Sequence, residues 1–213
     1  MTSVKLGAPL LTSAKTSTAT RRLLAAAAAT LLAITLAACS GNADLSAQYR
    51  SGSNKGYIAG DGSILEIPVP DRGAPVTFNG TSDTGAEISS EDYAGSVLVV
   101  NFWYAACAPC RAEAPDLVST YQDHRADGVS FLGVNIRDQA ATAREFANAY
   151  GLSYPSIADT DGSVKLSFAG ELAPNAVPTT LVLDHEGRVA ARVLGRVDGS
   201  TLSALIDRVV EEA

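Results

Sequence analysis

Cys107 and Cys110 are separated by two residues and stand where an apolar run gives way to a helix-compatible stretch. That order is strand, tight loop, helix, with both sulfurs at the junction. Cys107 would then sit at a helix N-terminus, where unpaired backbone N–H groups point and the macrodipole is positive. A free thiol has a pKa of roughly 8.5, so only a few per cent is thiolate at neutral pH. The helix end contributes about 0.3–1 kcal/mol, rarely ~2, which is about one pKa unit at most or slightly more. A hydrogen bond from the Cys110 thiol can supply the rest. Cys107 is thus the attacking sulfur and Cys110 the resolving one. Pro109 suits the first helical turn because it leaves no further orphan donor. Two other chemistries fit the same pair. One is a static disulfide closing a very short loop. The other is half of a zinc site, but zinc usually takes four ligands and His124 and His185 lack paired spacing. Neither histidine is given a role.

The elements that must hold the pair can be read from the pattern around it. Val97 to Phe102 is apolar on both faces, as a central strand should be. Pro109 to about Arg125 is helical, with Pro115 expected to kink it. Val129 to Ile136 is a second buried strand. Ala143, Phe146, Ala147 and Tyr150 fall at helical spacing before Gly151, a natural C-cap. Ser156 to Ala158 is a short strand, and Asp161 to Phe168 a turn with a short helix. Thr180–Asp184 and Val189–Leu194 flank a His185-Glu186-Gly187 turn. Leu202, Leu205, Ile206, Val209 and Val210 mark an amphipathic closing helix. Ahead of these, Val76–Phe78 and Ala86–Ile88 suggest a hairpin, with Asn79-Gly80 and Asp83-Thr84-Gly85 as turn signals. The order predicts an α/β fold with a mixed sheet covered on both faces.

Four of the 16 basic residues, Lys5, Lys15, Arg21 and Arg22, lie in residues 1–38, which hold no acidic ones. The remainder carries 12 basic against all 23 acidic side chains, a net charge of −11. Nucleic acid is therefore excluded as a partner, because phosphate contacts need clustered Lys and Arg. Leu23 to Ala38 is a 16-residue run without charge. At 1.5 Å per residue it spans roughly 24 Å, short of a ~30 Å hydrocarbon core, so it reads as an export signal. The run ends Leu36-Ala37-Ala38-Cys39, which resembles a bacterial lipobox. That implies a mature chain starting at Cys39 and held on the outer face of the cytoplasmic membrane by its acyl chains. Arg21-Arg22 loosely resembles a twin-arginine signal, so the export route stays open. Residues 39–73 are rich in Gly, Ser and Asn and read as a flexible tether, leaving residues 74–213 as the folded domain. With Cys39 assigned to processing, no cysteines remain for a disulfide framework and core burial must supply the stability.

From about residue 74 onward the chain resembles the thioredoxin fold, and within it the TlpA/ResA-like branch of extracytoplasmic disulfide reductases. The resemblance rests on Trp103 ahead of Cys107-Ala-Pro-Cys110, Pro115 five residues beyond, and Val177-Pro178-Thr179-Thr180 before a strand. Gly195 after the last strand and the extra segment around Glu145 to Gly170 add to it. It implies a cis Val177–Pro178 bond facing the cysteines and offering backbone groups to an extended substrate. Trp103 and Gly195 are candidates to border the substrate, although packing around the site is the stronger reading for Trp103, and Gly195 fits equally a residue that only ends a strand. Two departures stand out. Ala106 replaces the usual Trp before the first cysteine, reducing the stacking surface beside Cys107. Asn101 occupies the place of the buried Asp of thioredoxin itself; the branch instead uses a Glu three residues after the second cysteine, here Glu113. Glu113 would then accept the Cys110 proton, which needs a raised pKa and hence burial. Its plainer role is to stabilise the first helical turn.

The resemblance implies a membrane-tethered thiol–disulfide oxidoreductase that reduces disulfides in exported proteins, apocytochrome c among them. A membrane thiol-electron donor would recharge it, and no metal or cofactor beyond the cysteine pair is expected. Two alternatives remain: a disulfide-forming oxidase or isomerase, and a lipoprotein binding module whose cysteine pair is a static staple. A peroxidase is disfavoured, since a peroxidatic cysteine sits in a Thr/Ser-x-x-Cys context without so close a partner. The chemistry sets two conditions: Cys107 must be reachable from solvent, and residue 178 must lie beside the pair.

Overall fold

The computed structural model describes residues 63–172 and 176–212. The proposed export signal, Cys39 and most of the proposed tether lie outside the described residues. Eight strands form: β1 (Ile64–Glu66), β2 (Asn79–Thr81), β3 (Glu87–Ser89), β4 (Val97–Trp103), β5 (Val129–Asn135), β6 (Ser156–Ala158), β7 (Thr179–Leu183) and β8 (Val189–Leu194). Four helices join them: α1 (Ala108–His124), α2 (Ala140–Tyr150), α3 (Ser163–Ser167) and α4 (Gly199–Val210). Six strands make one mixed sheet in the order β1-β8-β7-β4-β5-β6, while β2 and β3 pair as a separate hairpin. β4 runs parallel to β5 and antiparallel to β7, which makes it central. All seven of its residues are buried, as a strand apolar on both faces requires.

Alternation along β4 divides the core. Val97 and Val99 pack with Leu117 of α1 and with Leu202, Leu205 and Ile206 of α4. Leu98, Val100 and Phe102 point the other way, onto Phe78, Ile88, Val164 and Phe168. Asn101 and Trp103 therefore face α1, which is what brings them to the cysteines. α2 ends at Gly151, whose φ of +73° supplies the left-handed cap,.

Two expectations need correction. The first hairpin strand falls on Asn79–Thr81, not Val76–Phe78, and the turn is made at residues 82–86. Gly80 is not a turn residue. A Cβ there would lie 2.8 Å from Ile157 Cγ2 and 3.0 Å from Val164 Cγ2. Glycine lets the hairpin backbone approach the core closely. Second, Ile64–Glu66 pairs antiparallel with Ala191–Val193, so a sheet strand lies inside the stretch assigned to the tether. Three residues carry too little pattern to be read as a strand; β8 supplies the template.

Candidate active site

β4 delivers the chain to the site and α1 leaves from it. Cys107 is the N-cap of α1, in extended conformation, and its sulfur accepts the Cys110 backbone N–H at 3.1 Å. This is the contact a capping oxygen ordinarily makes, so a backbone donor points at the sulfur that must carry charge. The two cysteines are joined as a disulfide. The Val177–Pro178 bond is cis, and the Val177 carbonyl oxygen lies 3.9 Å from Cys107 Sγ. The oxidised sulfur carries no proton, so this is a close contact and not a hydrogen bond. Residue 178 thus lies beside the pair.

The other condition is not met in the oxidised form. Cys107 and Cys110 are each only 2% exposed. Tyr104, Ala105 and Val177 are half-buried and pack against the cluster that holds both sulfurs.

Glu113 lies one turn after Cys110 on the same face of α1 and is fully buried. Oε1 accepts from Asn101 Nδ2 at 2.9 Å, and Oε2 accepts from the Val197 backbone N–H at 3.1 Å. Asn101 Nδ2 also donates to Thr180 Oγ1 at 3.0 Å, its direct partner across β4 and β7. Burial pushes the Glu113 carboxyl up to about 7, and these two donors only partly offset it. Residue 101 therefore still serves the buried acid, as a donor holding a carboxyl carried by the helix. The spacing and the Asn101 departure were legible beforehand; the link between them depends on the β4–β7 register.

Trp103 is a packing residue by the stronger reading of the sequence and a candidate to border the substrate by the other. It is 4% exposed, its indole N–H donates to Ser156 Oγ at 3.1 Å, and its ring centroid is 4.3 Å from that of Phe146. It packs in the cluster that holds the disulfide. Gly195 has φ +85°, with open space where a Cβ would stand, and its N–H donates to the Pro178 carbonyl at 2.8 Å. It both turns the chain after β8 and holds the proline loop.

The residues before Cys107 are held by a turn not singled out in the sequence. Asn135 Oδ1 accepts the backbone N–H groups of Arg137 and Asp138. Asp138 Oδ2 in turn accepts from Asn135 Nδ2 at 2.9 Å and from the Ala105 N–H at 2.6 Å. Asn-x-x-Asp directly after a buried strand is a turn signal that could have been read.

Residues 70–192 match the family model described as AhpC/TSA. The chain belongs to the AhpC/TSA family. Among its relatives is the thiol-disulfide oxidoreductase ResA of Bacillus subtilis, 30% identical over 118 residues, which are 55% of this chain and 64% of that protein. The thiol:disulfide interchange protein HelX of Rhodobacter capsulatus is 34% identical over 113 residues, 53% and 60% of the two chains. These matches thus span less than two thirds of either relative. A secreted thiol-disulfide isomerase from Corynebacterium glutamicum superposes with a TM-score of 0.64 at 30% identity, covering 74% of this chain and 99% of that one. A DsbF homologue from Corynebacterium diphtheriae gives 0.63 at 30% identity, covering 71% and 96%. The fold of this AhpC/TSA member is thioredoxin-like, as the motifs implied.

Proposed function

We propose that this protein is an extracytoplasmic thiol–disulfide oxidoreductase, tethered through Cys39, that reduces disulfides in exported proteins. The observation that carries the reading is the seating of Cys107: it caps α1, a backbone N–H faces its sulfur, and Cys110 and the Val177 carbonyl lie against it. The names of the ResA and HelX relatives support the chemistry. The basic start, the short apolar run and Cys39 support export and lipidation, and the ResA-like resemblance favours apocytochrome c as one substrate.

In the reduced enzyme the Cys107 thiolate attacks one sulfur of a substrate disulfide. A Cys107–substrate bond forms, the substrate S–S bond breaks, and the departing thiolate takes a proton from water. Cys110 then passes its proton to Glu113 and attacks Cys107 Sγ. The mixed disulfide breaks, the second substrate thiolate leaves and is protonated, and the Cys107–Cys110 bond closes. Two electrons have moved to the substrate, and a membrane thiol donor must return them. The elevated Glu113 carboxyl matters here. Proton transfer from a thiol near 8.5 to a base near 7 is uphill by about 2 kcal/mol, against about 6 for an ordinary glutamate,.

The test is a Cys110→Ala variant. It should accumulate a stable mixed disulfide through Cys107 with a disulfide-bonded substrate, and absence of any adduct would leave the staple reading. Equilibration against a dithiothreitol buffer should place the potential near the reducing end, about −270 mV. A value near the strong oxidants, about −120 mV, would reverse the direction.

A further inference from the structure

Two guanidinium groups on the rim of the site have no part in the chemistry above. Arg137 stacks over the Tyr104 ring, its guanidinium carbon 4.1 Å from the centroid. Arg111 Nη1 donates to the Ala105 carbonyl at 3.4 Å. Both are exposed, and both rest on the loop that leads directly into Cys107. Among the described residues neither has a carboxylate within ion-pair distance, which holds also for Arg125, Arg144 and Arg192, but these two alone rest on the loop before Cys107 through the contacts just given. The acidic side chain beside them, Asp138, is engaged inward by Ala105 and Asn135. Arg196, which follows Gly195, pairs with Asp116 at 3.2 Å. The loop leading into Cys107 therefore carries two arginines without a carboxylate partner, in a domain where acidic residues outnumber basic ones.

Long-range attraction by net charge cannot explain this arrangement, because the body of the chain repels acidic partners. The unpaired cations act at contact distance, where a guanidinium takes a carboxylate through two parallel hydrogen bonds. The Val177 carbonyl beside Cys107 and the extended β-edge mode place an incoming backbone across the same loop,. We propose that the site selects peptide disulfides whose cysteine is flanked by Asp or Glu, with Arg111 and Arg137 holding the flanking carboxylates. The inference rests on the reductase reading and specifies its substrate class.

The test uses the reduced full chain and two disulfide-bonded peptides of equal length, one with Glu and one with Lys beside each cysteine. The acidic peptide should be reduced with a kcat/KM about 3- to 10-fold higher, carried by KM, with the gap closing as salt is raised. An Arg111→Glu/Arg137→Glu variant should reverse the order. Cations that merely activated Cys107 would change both peptides alike. Equal kcat/KM for the two peptides, or a preference unchanged in the variant, overturns the inference while leaving the reductase reading intact. Reduction of neither peptide overturns the reductase reading and the inference with it.

Discussion

Glu113 joins the catalytic proposal to a cost in stability. Its carboxyl is fully buried and raised to about 7, so the native state binds its proton more tightly than the unfolded chain does. The stability linked to that proton is complete below about pH 4 and is lost as pH rises through 7, by about 3 kcal/mol in total. The same ionisation makes the carboxylate available to Cys110. Decay of the mixed disulfide should therefore accelerate through a pH near 7 in the native protein. In Glu113→Gln it should be roughly 100-fold slower at neutral pH and lose that inflection, while unfolding loses its slope between pH 4 and 7. Stopped-flow decay and a pH series of thermal midpoints measure the two. An unchanged kinetic profile would leave Glu113 a structural residue only. At this scale the sequence was informative wherever chemistry is local. Cys107, Cys110 and Glu113 fall on one helix at fixed spacing, whereas Asn101 and Thr180 meet only through strand pairing.

Elements were legible where they are long and apolar and misplaced where a small residue serves a close approach. β4, β5, α1 and α4 follow from burial pattern and periodicity. The first hairpin strand lies three residues later than the expected one because Asn79-Gly80 reads as a turn in isolation. In the fold Gly80 lies opposite Ile88, with Ile157 and Val164 filling the space a side chain would need. Both neighbours are buried and β-branched, so neither yields easily,. Gly80→Ala should cost about 1–3 kcal/mol by overpacking. Calorimetry should show the midpoint lowered by about 2–4 °C per kcal/mol. Combined with Ile157→Ala, the two costs should sum to less than their separate values, since the second change vacates the space the first invades. Strict additivity would mean that Gly80 matters for backbone freedom and not for approach. The hairpin packs on the sheet face away from α1, so the cysteine pair should keep its potential in Gly80→Ala.

For the whole molecule, the question is where the folded unit begins, and one buried cation bears on it. The Arg72 side chain is 3% exposed and pairs with Asp184 at 2.9 Å and with Glu212 at 2.7 Å. It connects the stretch before residue 74 to the turn between β7 and β8 and to the end of the chain. Asp184 is desolvated there. Backbone and side-chain hydrogen bonds from Arg188 and the Arg72 guanidinium outweigh that burial and hold its carboxyl below the usual range. Its contribution is present above about pH 4 and is lost as pH falls further, opposite in sign to that of Glu113. A polar, glycine-rich composition hid this, because a single arginine gives no periodic signal and its partners lie more than a hundred residues away. A chain starting at residue 74 loses both β1 and Arg72, and should unfold at a much lower denaturant midpoint than one starting at residue 63. Arg72→Ala in the full chain separates the two losses. Leaving Asp184 buried with Arg188 as its remaining cation should cost about 3 kcal/mol, at the low end for a broken buried pair. The deficit should shrink as pH falls and Asp184 protonates. Should the chain starting at residue 74 match the longer one in urea, the strand and the clamp would be accessory and the fold would rest on the central sheet alone.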